Sequence, residues 1–294
     1  MKQTILGAIY LSLTASIWGG MYVVSKYILD FIPALTLVWL RFIIAFVVLY
    51  FILKIAEKKQ KKKATIRKKD WLLFAWIGFI GYFISITCQF IGTKLSDAHT
   101  GSLVTSATPA FMVIFAALIL KEKLTARRLL STIIATIGVI IVIGWDIEIG
   151  SYFIGTIILV GAAITWALLS IYVKIASIQF SSLVITTYAI FFSLFFITPF
   201  MIWELQAASI GTVNTYVILG VLYLGIVSTA GAFFLWNKGL ELLDASIGSL
   251  FFFFQPIVGS LLGWLLLNET LNSNFFIGGI LIICSVLITT FEKK

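Results

Sequence analysis

Runs of about 20 residues carrying almost no charge recur along this chain, separated by short polar breaks. No other feature limits the fold so tightly, because about 20 apolar residues in a helix cross the hydrocarbon core of a bilayer. Ten runs fall near 4–25, 33–53, 71–93, 98–120, 127–145, 151–173, 181–203, 214–236, 245–267 and 274–291. Composition agrees: only 11% of residues are charged, against about 25% in soluble domains. The expected fold is an all-α integral membrane protein of ten transmembrane helices. The first run follows Lys2 as a signal peptide would, but it exceeds a typical signal core and has a counterpart later in the chain, so it is read as retained.

The same residues exclude much chemistry. Cys88 and Cys284 both lie inside apolar runs, which argues against a disulfide framework, and there is a single histidine, His99. No Ser-His-Asp set, no metal-spaced ligands and no phosphate-binding glycine loop occur. No catalytic residue, metal or cofactor is expected, and the chain is not read as an enzyme.

Orientation follows from the basic residues. Nine of the 21 lie between Lys54 and Asp70, in a short connection where the positive-inside rule explains them better than nucleic-acid binding does. That connection then faces the cytoplasm, as do both termini and the cluster Lys121, Lys123, Arg127 and Arg128. The expected location is the cytoplasmic membrane, with the lipid bilayer as partner.

Shifted by 147 residues, the chain matches itself. Asp97–Leu124 lies over Asp244–Leu271 with 10 of 28 positions identical, among them Gly101 with Gly248, Pro109 with Pro256 and Glu122 with Glu269. A shift of 148 pairs Trp18 with Trp166 and Lys26 with Lys174. Residues 1–146 and 147–294 are therefore expected to be two five-helix repeats. Five is odd, so the second enters the membrane inverted, an arrangement common in alternating-access carriers with a midplane site between the halves.

Ala15-Ser16-Ile17-Trp18-Gly19 with Lys26, Leu40-Arg41-Phe42, and the paired Pro109…Glu122 and Pro256…Glu269 resemble the EamA domain of the drug/metabolite transporter superfamily. The second copy departs from the first where Tyr188 stands opposite Arg41 and Ala167 opposite Gly19. The resemblance implies ten helices around a central cavity and export of amino acids, other metabolites or toxic compounds.

Depth in the membrane selects the candidate residues. Pro109 and Pro256 sit near mid-span, where each is expected to kink its helix, lining the pathway or serving packing alone, and to free the carbonyl four residues earlier, at Thr105 and Phe252, to face protein or a wet cavity. Gln255 needs a partner within an all-phenylalanine run. Trp18 and Trp166 lie in helix bodies, and Tyr82, Ser85 and Gln89 are spaced to share a face. Arg41, the one charge well inside a span, is open to snorkelling, to pairing with a helix-end carboxylate or to meeting a substrate carboxylate, with structural pairing the leading expectation. Glu122 and Glu269 are expected to tie down the helix that follows each, Lys26 to snorkel, and His99 to sit at the outer interface.

No carboxylate lies mid-span in any run. Uniport or exchange of a small-molecule substrate, an amino acid or similar metabolite, is the leading expectation. Two others stay open: multidrug efflux, and a non-transporting scaffold or lipid-handling protein.

Overall fold

A computed structural model describes residues 2–60, 66–121, 125–143, 150–243, 251–252 and 254–290. Among them the chain is helical throughout. The helices are α1 (Lys2–Ile28), α2 (Ala34–Gln60), α3 (Lys68–Leu95), α4 (Ala98–Ile119) and α5 (Ala126–Ile143). They continue with α6 (Ser151–Ala176), α7 (Ser182–Ala207), α8 (Thr215–Leu242), α9 (Phe254–Leu267) and α10 (Ser273–Thr290). Seven of the described helices are long and apolar enough to cross a membrane, and α9 is a shorter apolar helix. The expected runs at 127–145, 245–267 and 274–291 extend in part outside the described residues.

Local chemistry sets the helix ends. Asp97 accepts a bond from the Thr100 amide at 2.8 Å, and Asn214 from the Val217 amide at 3.0 Å, each satisfying an orphan donor of a first turn. α2 runs past its apolar stretch through Lys58 and Lys59 to Gln60, since a helix needs no apolar residues once it has left the hydrocarbon.

Three helices are interrupted. α3 and α8 each contain a π-helical stretch, Gly78–Ser85 and Tyr223–Gly231. α4 breaks at Ser106–Ala107 and restarts at Thr108, with Pro109 in its first turn, where a missing N–H costs nothing. The expectation of a mid-helix kink at Pro109 is corrected accordingly. The Thr105 carbonyl is not left open, because the Thr108 hydroxyl donates to it at 2.6 Å. Pro256 likewise falls in the first turn of α9.

α1 packs against α8 and α9, and α6 against α3 and α4. α2 lies along α7 and the π-helical part of α8, α7 along the π-helical part of α3, and α5 along α10. Small residues allow the closest crossings, as usual where lipid removes the hydrophobic drive between helices. A Cβ on Gly19 of α1 would stand 2.6 Å from the Gln255 carbonyl oxygen of α9. Gly92 of α3 and Gly155 of α6 face each other, and a Cβ on either would lie 2.8 Å from the other's carbonyl oxygen.

Charged side chains fasten neighbouring helix ends. Lys26, rather than snorkelling, donates to the carbonyls of Thr93, Lys94 and Ser96 at 2.5–3.1 Å, closing the end of α3. Glu204 at the end of α7 accepts from the amides of Leu35 and Thr36, capping α2. Glu269, in the α9–α10 connection, accepts from the Ala98 amide at 2.7 Å and the His99 amide at 3.1 Å. It thus caps α4 and not the helix that follows it. The first-turn amides of α4 are the unsatisfied donors within its reach. His99 is drawn inward by the same carboxylate, its Nδ1 lying 2.9 Å from Glu269 and 3.3 Å from Asp97, so it is buried and not at a lipid interface. Glu122 lies outside the described residues.

Candidate functional site

Where α1, α3, α4, α6, α8 and α9 converge they leave a narrow cavity of about 20 Å³, room for roughly one water molecule. Its aromatic wall is Trp18, Trp166, Phe233 and Phe252. Trp18 is the hub, with ring centroids 5.2 Å from Trp166 in an edge-on contact and 5.2 Å from Trp236. Its indole N–H is spent on the Ser228 carbonyl at 3.1 Å, a group in the π-helical part of α8. Edge-to-face packing of this kind holds each ring against rotation.

The polar wall comprises Ser85, Gln89, Thr105, Thr108 and Gln255. Tyr22 of α1, one turn beyond Trp18, organises it. Its hydroxyl lies 2.6 Å from Thr105 Oγ1 and accepts from Gln89 Nε2, while Gln255 Nε2 donates to Thr105 Oγ1 at 2.6 Å. One network thereby joins α1, α3, α4 and α9. Such polar networks inside a membrane hold helices in register at about 0.6 kcal/mol per bond. Two wall atoms remain buried without a hydrogen-bond partner: the Gln89 carbonyl oxygen and the Trp166 indole nitrogen. An unpaired acceptor and an unpaired donor on two lining residues are groups that a polar solute can satisfy.

The candidate residues separate into three groups. Trp18, Gln89, Thr105, Trp166, Phe252 and Gln255 meet at the cavity. Pro109 and Pro256 are buried but not in its wall; by starting the helical turns they place Thr108 and Gln255 there. Tyr82 stands behind the wall, stacked on Phe233 at 4.7 Å with its hydroxyl accepting from Asn237 Nδ2 at 3.3 Å. The π-helical stretch through Gly78–Ser85 adds to the turn between Tyr82 and Gln89, so α-helical spacing fails to keep the two on one face. Met21, Tyr22 and Phe233 belong to the site without having been singled out. Tyr22 alone carried a signal, one helical turn after Trp18.

Arg41 departs furthest from expectation. It is fully buried and has no carboxylate within ion-pair distance among the described residues. Its Nε donates to Thr229 Oγ1 at 2.7 Å, one terminal nitrogen to Ser228 Oγ at 3.2 Å, and the other to the Met21 thioether at 3.4 Å. Thr229 can accept because its own proton goes to the Leu224 carbonyl five residues back, a geometry the π-helical turn supplies. The guanidinium carbon also stands 4.9 Å from the Phe90 ring centroid and 5.8 Å from that of Phe233. Ring faces carry partial negative charge, so hydroxyls and rings stand in for the missing anion.

The pattern that describes the EamA-like transporter family matches this chain twice, over residues 5–144 and 153–291. An uncharacterized transporter of Bacillus subtilis, YetK, is 28% identical over 97% of this chain and 87% of its own length. A probable amino-acid metabolite efflux pump of Escherichia coli is 26% identical over 96% of this chain and 94% of its own. A protein of known crystal structure superposes with a TM-score of 0.68 at 19% identity, covering 99% of this chain and 98% of that one, a likeness of fold.

Proposed function

Because this chain belongs to the EamA-like transporter family, we propose that it exports small metabolites, amino acids foremost, as a uniporter or exchanger working by alternating access. The observation that carries the reading is the lining of the narrow cavity, an aromatic and amide wall that suits a small amphipathic solute once the helices part to admit it. None of its described lining residues is a carboxylate, in keeping with transport that is not coupled to protons through an acidic side chain. The Escherichia coli relative is a probable efflux pump for amino-acid metabolites, which supports the substrate class.

The mechanism rests on residues 1–146 and 147–294 acting as inverted five-helix repeats that rock about the cavity. The pairing of α1 with α8 and α9, and of α6 with α3 and α4, supports it. So do the π-helical stretches in the third helix of each half. The basic connections face the cytoplasm in this reading and the protein sits in the cytoplasmic membrane.

Counterflow of labelled amino acids into liposomes containing the purified protein tests the proposal. Exchange without a pH gradient, lost in Gln255→Ala, is expected. Failure of every amino acid to exchange, with cationic dyes moving only under a pH gradient, would replace this reading with multidrug efflux.

A further inference from the structure

Arg41 raises a question the transport cycle must answer: what compensates a guanidinium sealed in the middle of a membrane protein. The group stays protonated and presents five N–H donors. Three are engaged, by two hydroxyls and one thioether, which leaves two without an acceptor among the described residues. The thioether is the weakest partner of the three, since sulfur is a poor acceptor. It also belongs to Met21, a flexible side chain that lines the cavity. Phe233, the other lining residue beside the guanidinium, contributes only a ring. The cation is thus separated from the cavity by one thioether and one ring, and the donors left over are the type that grips an oxyanion through two parallel bonds.

We infer that Arg41 reads a carboxylate on the transported solute: Met21 swings aside and its place on the guanidinium is taken by a carboxylate oxygen. This deepens the carrier reading above and rests on it. Compensation by the solute would also explain why a cation is kept there with no acid beside it among the described residues. The rest of the wall agrees with an amino acid. The unpaired Gln89 oxygen offers an acceptor to an ammonium group, and Gln89 adjoins Phe90, whose ring covers the guanidinium. A solute bearing only a positive charge would face Arg41 unshielded and be refused.

The test compares leucine with leucinamide and 3-methylbutylamine, and 3-phenylpropionate with phenethylamine. Counterflow is measured in liposomes, and binding by quenching of tryptophan fluorescence in the purified full-length chain. The carboxylates are expected to bind and exchange at least about tenfold better than the amide and amines, the usual scale for a charged hydrogen-bonded pair. Arg41→Gln should erase that preference and Arg41→Lys should keep it with weaker binding. If Arg41→Gln does not fold, the wild-type comparison decides alone. Amide or amine exchanging as well as leucine overturns the role of Arg41 and leaves the carrier reading standing. Silence of all five compounds in both measurements overturns both.

Discussion

Removal of the Glu269 carboxylate should unfasten the α9–α10 connection from the start of α4. The carboxylate takes two backbone N–H groups, from Ala98 and His99 at 2.7 and 3.1 Å, and the His99 ring at 2.9 Å. Burial pushes its pKa up, but the hydrogen bonds from the His99 side chain and from the two amides outweigh that and hold it below the usual glutamate range. A single helix cap contributes about 1 kcal/mol and a bond to a charged group about 1.5–3 kcal/mol. Glu269→Ala should therefore cost about 2–4 kcal/mol at neutral pH. The sign of the pH dependence follows from the lowered pKa: the stabilisation is complete above the unfolded-state value, about pH 4.3, and is lost as pH falls through the lower folded-state value. Reversible unfolding in mixed micelles, wild type against Glu269→Ala from pH 7 down to pH 3, reads this directly. The gap should be widest at pH 7 and close on acidification. A gap under 0.5 kcal/mol (about the size of an ordinary surface change), or one independent of pH, would refute the reasoning.

Further expectations concern the cavity and its supports. Thr229→Val keeps the shape of the side chain but deprives Arg41 Nε of its acceptor, and should destabilise the micellar protein by about 1–3 kcal/mol in the same unfolding measurement. Gly19→Val places a side chain against the Gln255 carbonyl and should force α1 and α9 apart, seen as a loss of cross-linking between cysteines introduced along the two helices. Trp18→Ala removes the hub of the aromatic wall at a cost of about 3–5 kcal/mol, while Trp18→Phe should fold and bind solute more weakly, measured by fluorescence titration.

Much of this architecture can be read from residue order alone, and the limits are physical. Hydrophobic runs mark helices because the bilayer sets their length, and the match at an offset of 147 or 148 residues singles out Trp18 with Trp166 and Pro109 with Pro256 independently of the spans. Arg41 is visible as a charge in a span, but its partners Ser228 and Thr229 lie 187 and 188 residues away, and nothing local announces them. Glu269 is visible near a helix end, but the helix it serves depends on which chain segments meet in space. Tyr82 was misplaced for a different reason. A 3.6-residue period assumes an uninterrupted α-helix, and no residue between Gly78 and Ser85 signals the wider turn.

The wider turns in α3 and α8 also say something about tolerance to change in chain length. A π-helical stretch closes its hydrogen bonds five residues apart and so accommodates a surplus residue without disturbing the phase of the helix on either side. Loss of one residue from Tyr223–Gly231 should therefore leave Thr215–Leu222 and Ala232–Leu242 seated as they are, whereas the same deletion in unbroken α6 would rotate everything beyond it by about 100°. The surplus residue is dispensable for packing. What its loss would take away is the five-residue reach that lets Thr229 give its proton to Leu224 and hold a cation with its oxygen.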